Sequence, residues 1–437
     1  MLNSASEDYY SRDYGAFLSN YINNKAVQDT KLNYILAFII ICILMATLAL
    51  IRPLIAQGDT GGNINLSKSP PGNIVVYDRV SFENNIKQKY QGNSITFPAA
   101  GVAHIKKTKY INSKPIKINI VELNTNVNPY LKIKPQTASE KLNSKTTVRK
   151  IAQKEQAVVA INGGFFKPST GVPLGALMID GKVLTGSIYN RVGIAIFENK
   201  HKTSFKMENI NFDIKAKTQN YIIKVDNINQ PRMLSTYMLL YTSDWGKTSP
   251  IAPKNGSNLL IRNHKAIKMS ANPVEMAKGD MVLQGNKSTL SKLAKDGNIY
   301  IDLKIQEGFE DAKHIISAGP YLVKNSKVFV DAQSQKLQAI SGKNPRSAIG
   351  YKSDGTFIIV TVDGREQKSV GMTLFELANL MKELKCEWAM NFDGGSSSAM
   401  YVKGKITNSA INKEGIYVSN ALVVTEVNPY EMQLAGL

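Results

Sequence analysis

The amino-acid sequence predicts an α+β fold, sheet-dominated with a few helices, preceded by one N-terminal transmembrane helix. Three observations carry this reading. Short runs rich in β-branched and aromatic residues recur from about residue 116 onward, several joined at two-residue turn signals. Helical spacing is clear in few places, chiefly after Thr373. A single uncharged apolar run, 32–51, is about the length needed to cross a bilayer.

In chain order, 1–31 is a polar tail expected on the cytoplasmic side of a cell membrane. The span 32–51 is interrupted only by Asn33, Tyr34, Cys42 and Thr47, with Lys25 and Lys31 before it and Arg52 after it. That asymmetry is too slight to set orientation by charge; a short tail inside and a large extracytoplasmic region outside is the arrangement of a signal anchor. Leu54-Ile55-Ala56 offers only a poor cleavage site, and the long polar N-terminus argues against a conventional signal peptide. Residues 52–72, rich in Gly, Asn, Ser and Pro, read as a flexible stalk. One large domain follows, 73–437, with its core from about 100 to 427.

Within it the expected strands are 116–123, 157–161, 176–184, 192–197, 258–267, 298–305, 321–330, 348–362 and 400–406. Hairpin tips are expected at Asp180-Gly181, Arg262-Asn263, Asp354-Gly355 and Lys403-Gly404. Thr373-Leu374-Phe375-Glu376 is a capping box, and Leu377, Leu380, Met381 and Leu384 continue a helix from it. A weaker helix starts at Thr147.

Composition bounds the function. With 43% hydrophobic residues in 437 the chain can fill a sizeable core. Its two cysteines, Cys42 and Cys386, predict no disulfide, and the four histidines lack zinc-site spacing. The formal charge of +20, from 54 Lys and Arg against 34 Asp and Glu, is spread along the chain. It implies an anionic surrounding. No nucleic-acid-binding motif accompanies it, so an anionic lipid or phosphorylated glycan fits better than nucleic acid.

Two segments share one plan: helix, apolar strand, Asn, Gly-Gly. They are Ala160-Ile161-Asn162-Gly163-Gly164-Phe165-Phe166 and Asn391-Phe392-Asp393-Gly394-Gly395-Ser396-Ser397-Ser398. Glycine pairs can take positive φ and let a ligand approach the main chain. If both strands run the same way in one sheet, the loops open on one edge and form a composite pocket.

With Pro173-Leu174-Gly175, Ala318-Gly319-Pro320-Tyr321, Asn344-Pro345-Arg346-Ser347-Ala348-Ile349-Gly350, Asp363-Gly364-Arg365, Gly371-Met372-Thr373-Leu374 and Val418-Ser419-Asn420-Ala421 in this order and spacing, the chain resembles the phosphodiester glycosidases, the family of the uncovering enzyme. The resemblance implies hydrolysis of sugar-1-phosphodiesters, and many bacterial relatives are linked to exopolysaccharide. One departure stands out: the family commonly has a third glycine where this chain has Ser396. A Ser there is strained if the position needs positive φ, which would favour a glycan-binding protein that has lost catalysis.

Cleavage between an anomeric carbon and a phosphate oxygen places positive charge on the sugar and negative charge on the leaving group. A carboxylate is needed near the first and cations near the second. Asp393 is the first candidate carboxylate and Asp363 the second, though Asp363-Gly364 is equally a turn. Arg346 and Arg365 are the candidate cations, beside turn residues that favour exposed side chains. Asn162 and Asn391 would bind sugar hydroxyls or orient the acids; Gly163, Gly164, Gly394 and Gly395 shape the loops; Ser396 and Ser397 would bind hydroxyls; and Phe165 or Phe166 would pack on a pyranose face, the other being core. No cofactor is required, but Asp393 with Asp363 offers oxygen ligands to a hard cation such as Ca²⁺ or Mg²⁺. A transferase acting on envelope polymer would share this site.

Overall fold

The computed structural model describes residues 78–199, 202–409 and 415–427. The expected tail, span and stalk lie outside the described residues; among those described, no helix is long and apolar enough to cross a membrane. The rest is sheet with four α-helices among the described residues, consistent with the α+β expectation.

The central element is an eight-stranded antiparallel sheet in the order Ser94–Ala99, Val102–Ile111, Lys114–Asn124, Thr356–Val362, Arg346–Tyr351, Trp388–Asn391, Tyr321–Lys324, Lys327–Val328. Thr356–Val362 (TFIIVTV) is buried along its whole length, which is why it reads as a continuous apolar run rather than an alternating one. Its partner Arg346–Tyr351 returns through the expected Asp354-Gly355 tip, with Arg346 opposite Val362 and Tyr351 opposite Phe357. The expected Asp180-Gly181 and Lys403-Gly404 tips also separate paired strands, whereas the third turns one residue later, at Asn263-His264, because Arg262 still pairs with Lys265.

Two five-stranded sheets complete the body. One holds Val159–Asn162 between Met400–Val402 and Asn420–Glu426; the other holds His314–Ser317 between Val192–Asn199 and Leu177–Ile179. A single apolar cluster draws Val121 and Ile359, Ile161 and Leu422, and Ile194 and Ile316 from the three sheets. On the other side of the eight-stranded sheet, helix Leu374–Glu383 packs Leu377, Leu380 and Met381 against Ile118, Ile358 and Val360. The Thr373/Glu376 capping box is formed in both directions, at 3.1 and 2.8 Å. Residues 79–89, unassigned from sequence, form a further helix whose Ile86 enters the same core. Its C-terminal end is anchored by Lys89 and Tyr90 to the buried carboxylate of Glu122, which Lys352 also meets at 3.0 Å.

Residues 212–305 build a lobe with its own core of Ile214, Leu240, Leu259, Leu283 and Leu290. Its strands form a three-stranded and a five-stranded sheet, and helix Lys287–Lys295 covers them.

Candidate active site

The strands leading into the two glycine loops do not share a sheet: Val159–Asn162 is in a five-stranded sheet and Trp388–Asn391 in the eight-stranded one. The loops nevertheless meet. The Asp393 N–H donates to Gly163 O at 3.1 Å, and Asn162 Nδ2 donates to Asp393 O at 2.6 Å. Asn162 Oδ1 accepts from Ser347 Oγ at 2.6 Å and from Ala399 N–H at 3.1 Å. The Asn162 amide therefore ties three segments together, which is an orienting role rather than a sugar-binding one.

The first glycine pair is needed for close approach, not for positive φ. A Cβ on Gly163 would lie 1.9 Å from Asn420 Oδ1, and one on Gly164 would lie 2.4 Å from Ser317 O. Asn420 Oδ1 is already accepting the Gly164 N–H at 2.9 Å. In the second pair Gly394 is extended, and only Gly395 is left-handed, with φ of 62°. Ser396 is not among the positive-φ residues, so serine in place of a third glycine carries no backbone strain. The argument for a catalytically lost relative falls with it.

Asp393 sits half-buried at the head of this turn. Burial raises its carboxyl to about 6, against the lowering effects of the Ser397 hydroxyl, the Gly394 N–H and the Arg191 charge. Ser397 thus touches the acid directly. Asn391 is fully buried; its Nδ2 donates to Gly319 O at 2.9 Å and Phe392 O at 2.5 Å, while its Oδ1 has no hydrogen-bond partner.

The two arginines expected to be exposed behave differently. Arg346 is 1% exposed: its Nε donates to Met372 O and its Nη2 to Ile340 O, both at 2.8 Å, and Nη2 also meets Gly342 O. Desolvation pushes its guanidinium down to about 10. The strand register that starts at Arg346 turns this side chain inward, where it braces the 340–342 and 372 segments. Arg365 is exposed, donates to Asn344 Oδ1 at 2.8 Å, and brings Nη2 to 3.2 Å from where a Cβ on Gly395 would stand. It borders the Asp393 turn.

Asp363 is buried at the end of its strand, and its Oδ1 accepts the Ser409 N–H at 3.0 Å. Burial raises its carboxyl. It holds the Ser409 main chain against the end of its strand. No group of three or more His, Cys, Asp or Glu side chains suited to a metal ion occurs among the described residues.

One residue was missed by sequence reasoning. Arg191 is 7% exposed, lies over the Phe165 ring at 4.9 Å and the Tyr189 ring at 5.5 Å, and its charge acts on Asp393. Burial lowers its guanidinium to about 10. The available signal was compositional: nine arginines stand among 45 lysines, so each arginine is a choice of geometry and not of charge alone. Phe165 is the half-buried ring beneath Arg191, whereas Phe166 bridges to Pro173 and packs in a separate core.

A cavity of about 330 Å³ lined by Phe205, Tyr351, Lys352, Asp354 and Glu387 opens at the Tyr351–Phe357 end of the central hairpin, opposite the end where Pro345 and Asp363 meet the site.

The fold of this chain recurs in a solved hypothetical protein from Synechocystis, with a TM-score of 0.69 and 21% identity over 76% of this chain and 63% of that one. Residues 253–425 match the family described as phosphodiester glycosidase, a stretch that includes Arg346, Asp363, Arg365 and Asp393. The resemblance read from the motifs holds at this level. A 108-residue stretch is 40% identical to the SPbeta prophage-derived protein YomE of Bacillus subtilis, and a 132-residue stretch is 21% identical to mouse N-acetylglucosamine-1-phosphodiester alpha-N-acetylglucosaminidase. They cover 25% and 26% of this chain but only 16% and 25% of those two proteins.

Proposed function

We propose that this protein is a membrane-anchored, extracytoplasmic hydrolase that cleaves the glycosidic bond of a sugar-1-phosphodiester in a cell-envelope or exopolysaccharide glycan. The observation that carries the chemistry is Asp393: a carboxyl raised to about 6, held where two glycine loops interlock, with the Arg191 charge acting on it and Arg365 bordering the same turn. The activity named for the mouse relative supports the substrate class; the apolar run 32–51 and the +20 charge support the location and an anionic partner.

In the reaction, the bond between the anomeric carbon and the phosphate oxygen breaks and its electron pair leaves with the phosphate. Water supplies the hydroxyl of the freed sugar, and its proton leaves with the phosphomonoester or solvent. Asp393, as carboxylate, stabilises the positive charge at the anomeric carbon. The phosphate is a good leaving group, so charge stabilisation by arginine replaces much of the work of a general acid. The nearness of Arg365 to Gly395 supports it as a source of that charge.

The test is release of free sugar from N-acetylglucosamine-α-phosphodiester model compounds by the full chain, beside Asp393→Asn and Arg365→Ala. Release that is abolished in the first variant and reduced at least about tenfold in the second supports the reading. No release from folded protein across several sugars would overturn it.

A further inference from the structure

Ahead of strand Val192–Asn199 the chain reverses at Ile188-Tyr189-Asn190-Arg191, closed by a hydrogen bond from the Arg191 N–H to Ile188 O at 3.2 Å. Tyr189 and Asn190 have φ of 52° and 49°, the consecutive left-handed residues of a type I′ turn, where Gly and Asn are favoured and an aromatic is not. Asn190 suits its place: its Oδ1 accepts from Asn211 Nδ2 at 3.0 Å and its carbonyl from Asn209 Nδ2 at 2.5 Å. Tyr189 does not, and its ring is 45% exposed, so burial does not explain it either.

What Tyr189 contributes is a ring over Arg191, with Phe165 also in cation–π contact. Arg191 is thereby fixed in a buried position with both Nε and Nη1 lacking any hydrogen-bond partner. Buried charged donors without partners are among the costliest features a protein retains, and these belong to a guanidinium stacked on Phe165, two residues after the Gly163 whose carbonyl accepts the Asp393 N–H.

We propose that this turn is an anion clamp: Arg191 donates its unpaired N–H groups to the oxygens of a phosphate group, and Tyr189 is the positioning residue that holds the guanidinium in place. The assignment rests on the phosphodiester reading for the molecule that carries the phosphate, though not for the clamp itself. Arg191, not Arg346, is then the buried guanidinium of the site that meets ligand, with Arg365 on its exposed rim.

Titration calorimetry of the full chain with inorganic phosphate at neutral pH tests it, with Arg191→Gln, Tyr189→Asn and Asp393→Asn in parallel and melting temperature recorded for each. Phosphate should bind the wild type and Asp393→Asn. Binding should weaken on the order of tenfold or more in Arg191→Gln and several-fold in Tyr189→Asn. The melting temperature of Tyr189→Asn should be unchanged or raised, because Asn is at ease in a left-handed conformation, which a merely structural tyrosine would not allow. Absence of phosphate binding to the wild type, or equal binding by Arg191→Gln, overturns the clamp. So does a Tyr189→Asn protein that melts earlier yet binds phosphate normally. Phosphate bound through Arg191 by a chain that cleaves no glycosyl phosphodiester supports the clamp and overturns the hydrolase reading.

Discussion

Replacing Asp393 by Asn should abolish turnover and, at neutral pH, make the protein more stable. Desolvation lifts the carboxyl from 3.8 to about 6 in spite of the Ser397 hydroxyl, the Gly394 N–H at 3.0 Å and the Arg191 charge. A rise of this size corresponds to about 3 kcal/mol at full weight, and solvent access to the half-buried residue reduces this to about 1–2 kcal/mol. The sign follows from proton binding. Between about 3.8 and about 6 the folded chain holds a proton on Asp393 that the unfolded chain has released, so this group's contribution is most favourable below that window and declines as pH rises through it. Asn has no such dependence, and its carbonyl oxygen still accepts from one of the two donors. Urea unfolding from about pH 4 to about pH 8 should find variant and wild type close at the acid end, with the variant ahead by about 1–2 kcal/mol at the other. A difference that is flat across this range, or that favours the wild type more as pH rises, would refute the claim that Asp393 is held charged against desolvation.

Three other outcomes are expected. Catalytic efficiency should climb as pH rises through about 6, because the carboxylate form of Asp393 is the working one; a profile that falls across that range would make it a general acid instead. Arg346→Ala should unfold at markedly lower urea, by about 3–4 kcal/mol, since it strips donors from Met372, Ile340 and Gly342 carbonyls and opens a cavity; a stable protein with only a catalytic defect would contradict the bracing role. Gly163→Ala should lose at least about 2 kcal/mol in the same assay and lose activity, as its new methyl would stand 1.9 Å from Asn420 Oδ1.

The chain is strongly basic, and the Arg191 charge acts on Asp393. The family match covers the second glycine loop and the arginines 346 and 365, while the first glycine loop and Arg191 lie before it.

What could be read from the sequence was local. The Thr373/Glu376 capping box is a relation across one helical turn, the hairpin tips at residues 180–181 and 354–355 are relations across two, and the buried run TFIIVTV declares its own burial; all are present in the fold. The echo of helix, strand, Asn and Gly-Gly marked two loops that do meet, but placed their strands in one sheet when they occupy two. The glycines at 163 and 164 were legible as glycines but not their reason, because the atoms they must clear belong to Asn420 and Ser317, more than a hundred residues away. Arg346 and Arg191 make the same point in opposite directions. A lone arginine at the start of a strand carries no sign of whether distant loops will offer it carbonyl oxygens, as for Arg346, or only aromatic faces beside N–H groups left unmet, as for Arg191. Periodicity and turn chemistry are properties of neighbouring residues, and the sequence by itself determined those. Burial and partner choice depend on which distant segments come together, so only the tertiary structure decided which guanidinium is a brace and which is left with N–H groups unmet.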